Sequence, residues 1–504
     1  MSDAERDLRG GIEAAELREG AMLAGTVGDD KVLLLRSEGR VHAVGAECPH
    51  YHAPLADGIV VDGTIRCPWH HACFNLATGA VERAPALMPL AVYRVDERDG
   101  RYFVGERVTP PAKSARGPES VVIVGAGAAG VNAAQTLRTE GYYGRIVLIS
   151  REEQLPYDKP NLSKDFLAGH APPEWLPLQP REFYDEQRIE LRLGVEVTSI
   201  DPAAHAITTA SGERIEYGAL VLATGASPRT LNVSGGERAQ TFRTQIDAER
   251  VAASGARSAV VIGSSFIGLE VAASLRQKEL DVTVVSPDRV PLERVLGAEV
   301  GARVQQIHEQ HGVQFRLGRS VASIDDRAVV LDDGSRIEGD LIVAGVGVTP
   351  DLGLARAAGV EVGNGVLVDE RLRTSQPDIY ACGDIASWPD APSGERRRVE
   401  HWVVAGRQGQ TVAHNILGRE ERFTAVPFFW SAHYDVVIAY VGYGNGWDSV
   451  QIDGKLADND ATIVYRRGGE IVAVATVGRD AVSLAAEAAM DRGDRARLEE
   501  LVRK

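Results

Sequence analysis

Four cysteines in 504 residues, Cys48, Cys67, Cys73 and Cys382, are too few for a disulfide framework in a chain this long. No apolar run approaches the roughly 18 residues of a membrane-spanning helix. The opening MSDAERDLRGG has no apolar centre, so no secretory signal is expected. Positive charge is in deficit, with 55 Lys+Arg against 71 Asp+Glu and a net charge of −16. That balance argues against nucleic acid or an anionic membrane as partner. Few cysteines and no signal point to the cytoplasm, where paired cysteines more often bind metal or do redox work. What is abundant is glycine, 53 residues, which suits α/β nucleotide folds rich in tight turns.

The chain divides by pattern. Residues 1–107 read as an all-β module with strands near 31–35, 40–44, 64–67, 91–95 and 101–104. Residues 108–119 contain TPPAKSARGPE and read as a linker. Beyond it, a strand at 120–124 leads into Gly125-Ala-Gly127-Ala-Ala-Gly130, a helix and a second strand at 145–149. The same unit recurs at 259–262, Gly263-Ser-Ser-Phe-Ile-Gly268 and 281–285. A second repeat pairs ALVLATGASP (219–228) with DLIVAGVGVTP (340–350). Two Rossmann-like α/β folds, the second inserted in the first, explain both repeats. The expected division is 120–245 with 340–425, 246–339 inserted, and a C-terminal α+β domain at 426–504. In that last domain, strands are expected near 436–441, 461–465 and 470–475, then a helical tail over 481–501.

The most specific spacing is Cys48-Pro-His50, sixteen residues, then Cys67-Pro-Trp-His70. Two Cys–His pairs on two loops can clamp one small site, and zinc would accept the same donors. Cys-x-His followed by Cys-x-x-His in a β module resembles the Rieske 2Fe–2S domain. The resemblance implies that Cys48 and Cys67 hold one iron as thiolates and that His50 and His70 hold the other. High-potential relatives carry a second cysteine pair bridging the loops, and Ser and Tyr donors near the cluster. Here Cys73 lacks such a partner and reads as core, and Ala72 and Phe74 stand at the donor places. The pattern implies a lower-potential, ferredoxin-type cluster. His52 and His71 stand where glycine is common and read as solvated loop histidines.

In the first glycine loop, Gly125 makes the tight turn, Gly127 admits a pyrophosphate and Gly130 permits close helix packing. The ribose acid expected at the end of the second strand is Glu152, with Glu153 the alternative. Leu155-Pro-Tyr157-Asp-Lys159-Pro-Asn-Leu-Ser163-Lys164 resembles a signature of flavin ferredoxin reductases and apoptosis-inducing-factor relatives. Ala223-Thr224-Gly225, Leu269-Glu270, Gly383-Asp384, Glu400-His401-Trp402 and Pro427-Phe-Phe-Trp430 follow in the same order. The chain is thus similar, over nearly its whole length, to the Rieske-fused, apoptosis-inducing-factor-like branch of FAD-dependent pyridine nucleotide oxidoreductases.

The resemblance implies FAD on 120–245 with 340–425, and NAD(P) on 246–339. It places Lys164, paired with Glu270, near the flavin, with Trp402 as a third catalytic residue. Lys159 and Arg243 would contact FAD polar groups, Asp384 its ribityl or pyrophosphate, and Trp402 and Trp430 its ring. Thr224, Gly225, Gly263, Ile267, Gly268, Ser286, Gly347 and His401 complete the cofactor set. Ser286-Pro-Asp288-Arg289 lacks an acid directly at its strand end, so NADH and NADPH both remain open. No CxxC accompanies Cys382, so no redox disulfide is expected. The function implied is NAD(P)H oxidation through FAD and the cluster to a ferredoxin, cytochrome or oxygenase component, by a monomer or homodimer. The alternative is a slow-turnover nicotinamide-sensing protein.

Overall fold

The computed structural model describes residues 6–390 and 393–503; the first five residues of the expected 1–107 module, 391–392 and 504 lie outside them. The N-terminal module has two antiparallel sheets. The larger runs Ile12–Glu13, Arg101–Val108, Val92–Arg98, Arg40–Gly45, Asp30–Ser37 and Met22–Val27 from edge to edge. The smaller runs Ile59–Val61, Thr64–Arg66, Cys73–Asn75 and Val81–Arg83. Alternation along Asp30–Ser37 sends Leu33 and Leu35 toward Leu55, Ile65 and Phe74. Val32 and Leu34 face Leu8, Ile12 and Tyr102 on the other side. The five strands not anticipated are the two-residue Ile12–Glu13, the three-residue Ile59–Val61, Cys73–Asn75 and Val81–Arg83, and Met22–Val27, whose glycine breaks the alternation.

Residues 109–119 form no helix or strand, and touch the next domain through an isolated bridge from Ala115 to Tyr142. A fully parallel sheet follows, ordered Ile189–Arg192, Arg145–Ile149, Ser120–Val124, Ala219–Leu222 and Ile379–Ala381. Its central strands are buried on both faces, as parallel sheets require. The last strand comes from beyond the second unit, so the insertion is real. A second parallel sheet runs Gln240–Thr241, Leu341–Ala344, Ser258–Ile262, Asp281–Ser286 and Gln314–Leu317.

That second sheet corrects the expected limits of 246–339, because it takes a strand from outside each end. The 219–228 and 340–350 repeat gives the reason: each copy adds a strand beside the glycine-loop strand of its own sheet. The two copies then meet, with Ala226–Pro228 pairing antiparallel to Val348–Pro350.

Helix Ala128–Thr139 lies along helix Trp402–Ile416, close enough that a Cβ on Gly409 would fall 2.2 Å from the Ala129 carbonyl oxygen. The C-terminal sheet is antiparallel and ordered Phe428–His433, Val436–Gly442, Glu470–Val477, Asp460–Arg467 and Ser449–Lys455. The expected single helical tail is two helices, Asp480–Asp491 and Arg495–Leu501. Gly493, at a φ of 66°, turns the chain between them. No helix among the described residues is long and apolar enough to cross a membrane.

Candidate functional site

The two Cys–His loops are built alike. Cys48 N–H donates to Ala53 O and His52 N–H returns to Cys48 O; Cys67 N–H donates to Ala72 O and His71 N–H returns to Cys67 O. His52 and His71 hold equivalent left-handed positions at φ 59° and 58°. The turn itself is therefore what favours glycine there.

The loops bring their donors together in two pairs. The Cys48 and Cys67 thiols share a hydrogen bond, which holds Cys67 below the ordinary thiol range and, with burial, pushes Cys48 up. Cys48 also accepts from the backbone N–H of His50 and Tyr51, and Cys67 from His70 and Trp69. The imidazoles face each other with Nδ1 atoms 3.2 Å apart. Burial pulls His50 down to about 3 and His70 well below its usual range, so both rings are neutral donors. Among the described residues, no three His, Cys, Asp or Glu side chains converge on one ion position. Two thiols beside two imidazoles suit two irons better than one tetrahedral zinc.

The histidine pair is covered by the rest of the chain. The His70 ring lies 4.1 Å, centroid to centroid, from Trp430. The Tyr51 hydroxyl donates to Asp158 and accepts from Asn161 Nδ2. The expectation that His71 is solvated is corrected. It is buried, stacked on Phe428 at 3.8 Å, with Nδ1 3.0 Å from Glu487 Oε2. His71 thus meets Glu487 and Phe428 of the C-terminal domain instead of water. His52 is exposed, and Cys73 is in the core, both as expected.

The glycine loops open a cavity of about 840 Å³. Gly125 has φ 111°, and a Cβ there would lie 2.1 Å from Ala223 O. A Cβ on Gly130 would lie 1.9 Å from Gly125 O, whereas one on Gly127 would meet nothing within 4 Å. Gly127 therefore opens on the cavity at the N-terminus of helix Ala128–Thr139, where backbone N–H groups face an anion. Glu152 accepts from Tyr157 (2.5 Å) and Lys159 (2.9 Å), and Arg243 pairs with Asp384 at 2.6 Å. Glu270 Oε2 accepts from Lys164 (2.8 Å) and Ser163 (2.7 Å).

Lys164 sits where a π-turn interrupts the helix, at Leu162–Phe166. Gly125, Gly127, Glu152, Lys159, Lys164, Thr224, Gly225, Arg243, Ile267, Glu270, Gly347, Asp384, His401, Trp402 and Trp430 all line the cavity. Gly130, Gly263 and Gly268 lie behind it as packing positions. Ser286 is outside it and buried; its hydroxyl accepts from Ser264 (2.9 Å) and the Asp288 N–H. The wall also has Phe266 and Phe429, motif neighbours of Ile267 and Trp430 to which the motifs assign no role of their own.

Residues 119–409 match the pyridine nucleotide-disulphide oxidoreductase family. The chain belongs to that family. This oxidoreductase also matches the Rieske [2Fe-2S] domain over 12–94 and the reductase C-terminal domain over 428–503. It is 35% identical to apoptosis-inducing factor 3 of Homo sapiens, over 94% of this chain and 82% of that one. It is 37% identical to putidaredoxin reductase CamA of Pseudomonas putida, over 72% and 89%. The crystal structure of the covalent putidaredoxin reductase–putidaredoxin complex superposes with a TM-score of 0.72 at 35% identity, covering 75% of this chain and 94% of that one.

The oxidoreductase is multidomain: an all-β Rieske domain, α/β FAD and nicotinamide domains, and a C-terminal reductase domain. It is an FAD-dependent NAD(P)H oxidoreductase of ferredoxin-reductase type with a Rieske 2Fe–2S domain. The residues fit these groups. The cavity is large enough for a dinucleotide, and Gly127 leaves its backbone open. The four donors stand as one pair of thiols and one pair of neutral imidazoles, the ligand set of a two-iron Rieske cluster.

Proposed function

We propose that the chain moves electrons from NAD(P)H through FAD to its own Rieske cluster and on to a one-electron acceptor protein. When bound, flavin exchanges both hydrides and single electrons, and a 2Fe–2S cluster takes one electron. The observation that carries this reading is the packing of His70 on Trp430, whose side chain also lines the cavity. One indole thus touches both redox sites. The covered histidine pair supports the same reading, because it faces the reductase rather than water.

The residues divide the work. Gly125, Gly127 and Glu152 hold the dinucleotide, while Arg243 and Asp384 secure its polar middle. Lys164 supplies positive charge to the cavity, and Glu270 fixes the ammonium in place. Trp402 and Trp430 wall the redox end. Cys48, His50, Cys67 and His70 hold the cluster. A ferredoxin is the first-choice acceptor, since the relatives include ferredoxin reductases; a cytochrome or an oxygenase component is the alternative. The four free thiols suit the cytoplasm.

Anaerobic mixing of the holoprotein with NADH or NADPH tests the reading, with flavin followed by absorbance and the cluster by paramagnetic resonance. The expected result is cluster reduction after flavin reduction, at a rate independent of protein concentration. A cluster that stays oxidised beside reduced flavin would overturn the relay. If cytochrome c turnover is also absent, the nicotinamide-sensing role replaces it.

A further inference from the structure

A line of buried polar groups leaves the cavity on the side away from the Rieske domain. Glu270 Oε1 accepts from Ser431 Oγ at 2.7 Å. Ser431 Oγ lies 3.3 Å from His433 Nε2, and His433 Nδ1 lies 3.1 Å from His308 Nε2. All four residues are at most 3% exposed. At the far end, buried His308 Nδ1 has no partner among the described residues, nor does the Tyr434 hydroxyl beside it. Tyr434 stacks on the exposed His311 with ring centroids 3.6 Å apart. The hydrogen-bonded line thus runs from the cavity wall to His308 Nδ1, and the Tyr434–His311 ring stack, exposed at His311, packs against that ring.

Its polarity follows from Glu270. A carboxylate only accepts, so Ser431 donates to it. The Ser431 oxygen must then accept from His433, or two lone pairs would face each other. That puts the His433 proton on Nε2 and makes Nδ1 an acceptor. His308 must likewise carry its proton on Nε2. Burial pulls His433 down to about 3, with Lys164 adding to it, and holds His308 low beside His433 and His311. Both rings rest neutral, the form that passes protons between its two nitrogens. The other charged groups facing the line are Lys164 inside, and Arg276, which donates to His311 O, outside.

We propose that Ser431, His433 and His308 form a proton line that protonates Glu270 when the site receives a hydride. The inference rests on hydride delivery into this cavity. A hydride brings two electrons and one proton, and so adds one negative charge to a buried site. A surface proton enters at His308 Nδ1, the Nε2 proton of His308 moves to His433 Nδ1, that of His433 moves to Ser431, and the Ser431 proton moves to Glu270. Every donor now points outward. When two one-electron acceptors have taken the electrons, the site gives up two protons. One returns along the line and restores its polarity. The other leaves at the cavity mouth, where Ile267 and Val295 are exposed. The net reaction is NAD(P)H to NAD(P)⁺, two electrons and one proton.

Nitrogen-15 resonance of histidine-labelled oxidised holoprotein tests the polarity without any variant. Both His433 and His308 are expected as the Nε2–H form, and an Nδ1–H form on either ring overturns the proposal. A pH-indicator dye in weak buffer, mixed with NADH, reads proton uptake directly. Wild type takes up a proton with flavin reduction. His433→Phe keeps FAD and its reduction but delays uptake about tenfold or more. Added imidazole restores the rate in His433→Ala. No uptake in wild type, or undelayed uptake in His433→Phe, overturns the line. Uptake precedes cluster reduction, so a cluster that stays oxidised would sink the relay and leave this result standing.

Discussion

His71 Nδ1 and Glu487 Oε2 lie 3.0 Å apart with side chains 1% and 0% exposed, joining a cluster loop to helix Asp480–Asp491. The same carboxylate takes Arg66 from the Rieske domain at 3.3 Å and Arg407 from helix Trp402–Ile416 at 2.7 Å. Burial opposes its charge, but Arg407, His71 and Arg66 outweigh burial and hold the carboxyl well below its usual range. Three segments far apart in sequence thus close on one buried anion, a few residues from the cluster.

Removing that anion takes the carboxylate from buried Arg407, while Arg66 keeps Asp491 at 3.0 Å. Glu487→Ala should cost about 3–5 kcal/mol in denaturant unfolding, as breaking a buried pair does. The cost should fall on Rieske docking, so proteolysis within 109–119 should accelerate while FAD stays bound. Unchanged cleavage and unchanged unfolding would mean that the domains are held by other contacts.

Cofactor content is the next expectation. Purified protein should carry one FAD with two irons and two acid-labile sulfides. Cys67→Ser should lose the iron and keep the FAD, because the glycine loop and the cluster loops belong to separate domains. One zinc without sulfide would remove the cluster assignment.

Lys164→Met leaves the Glu270 carboxylate buried with only Ser163 and Ser431 as donors. FAD should remain bound, since Gly125, Gly127 and Glu152 are untouched. Flavin reduction by NADH should slow by about a hundredfold, the usual scale for one lost stabilising group. Stopped-flow absorbance measures it, and a wild-type rate would end the assigned role.

Ala72 and Phe74 are fully buried beside the second cluster loop, with no side-chain donor to offer sulfur. The wild-type midpoint should lie near the lower Rieske limit of about −150 mV. Ala72→Ser adds a donor, which stabilises the more negative reduced cluster and should raise the midpoint. A resonance-monitored redox titration reads both. A wild-type value near about +300 mV would contradict this account.

Much of this protein was determined along the chain itself. Backbone demands are local, so the two glycine loops at 125–130 and 263–268 were legible from their spacing, and a Cβ on Gly125, Gly130, Gly263 or Gly268 would fall 1.9–2.4 Å from a carbonyl oxygen. Ligand pairs on short loops are also local, which made Cys48–His50 and Cys67–His70 legible. What only the tertiary structure decided depends on chain segments that sequence holds far apart. Whether His71 meets water or Glu487 depends on a helix more than 400 residues away. Whether Ser286 reaches the cavity depends on Ser264 turning its hydroxyl inward. His433 and His308 had no motif to mark them, because their meaning comes from each other and from Ser431 across 125 residues of chain. Spacing encodes what one loop must do; burial and hydrogen-bond partners are set only when the domains close on one another.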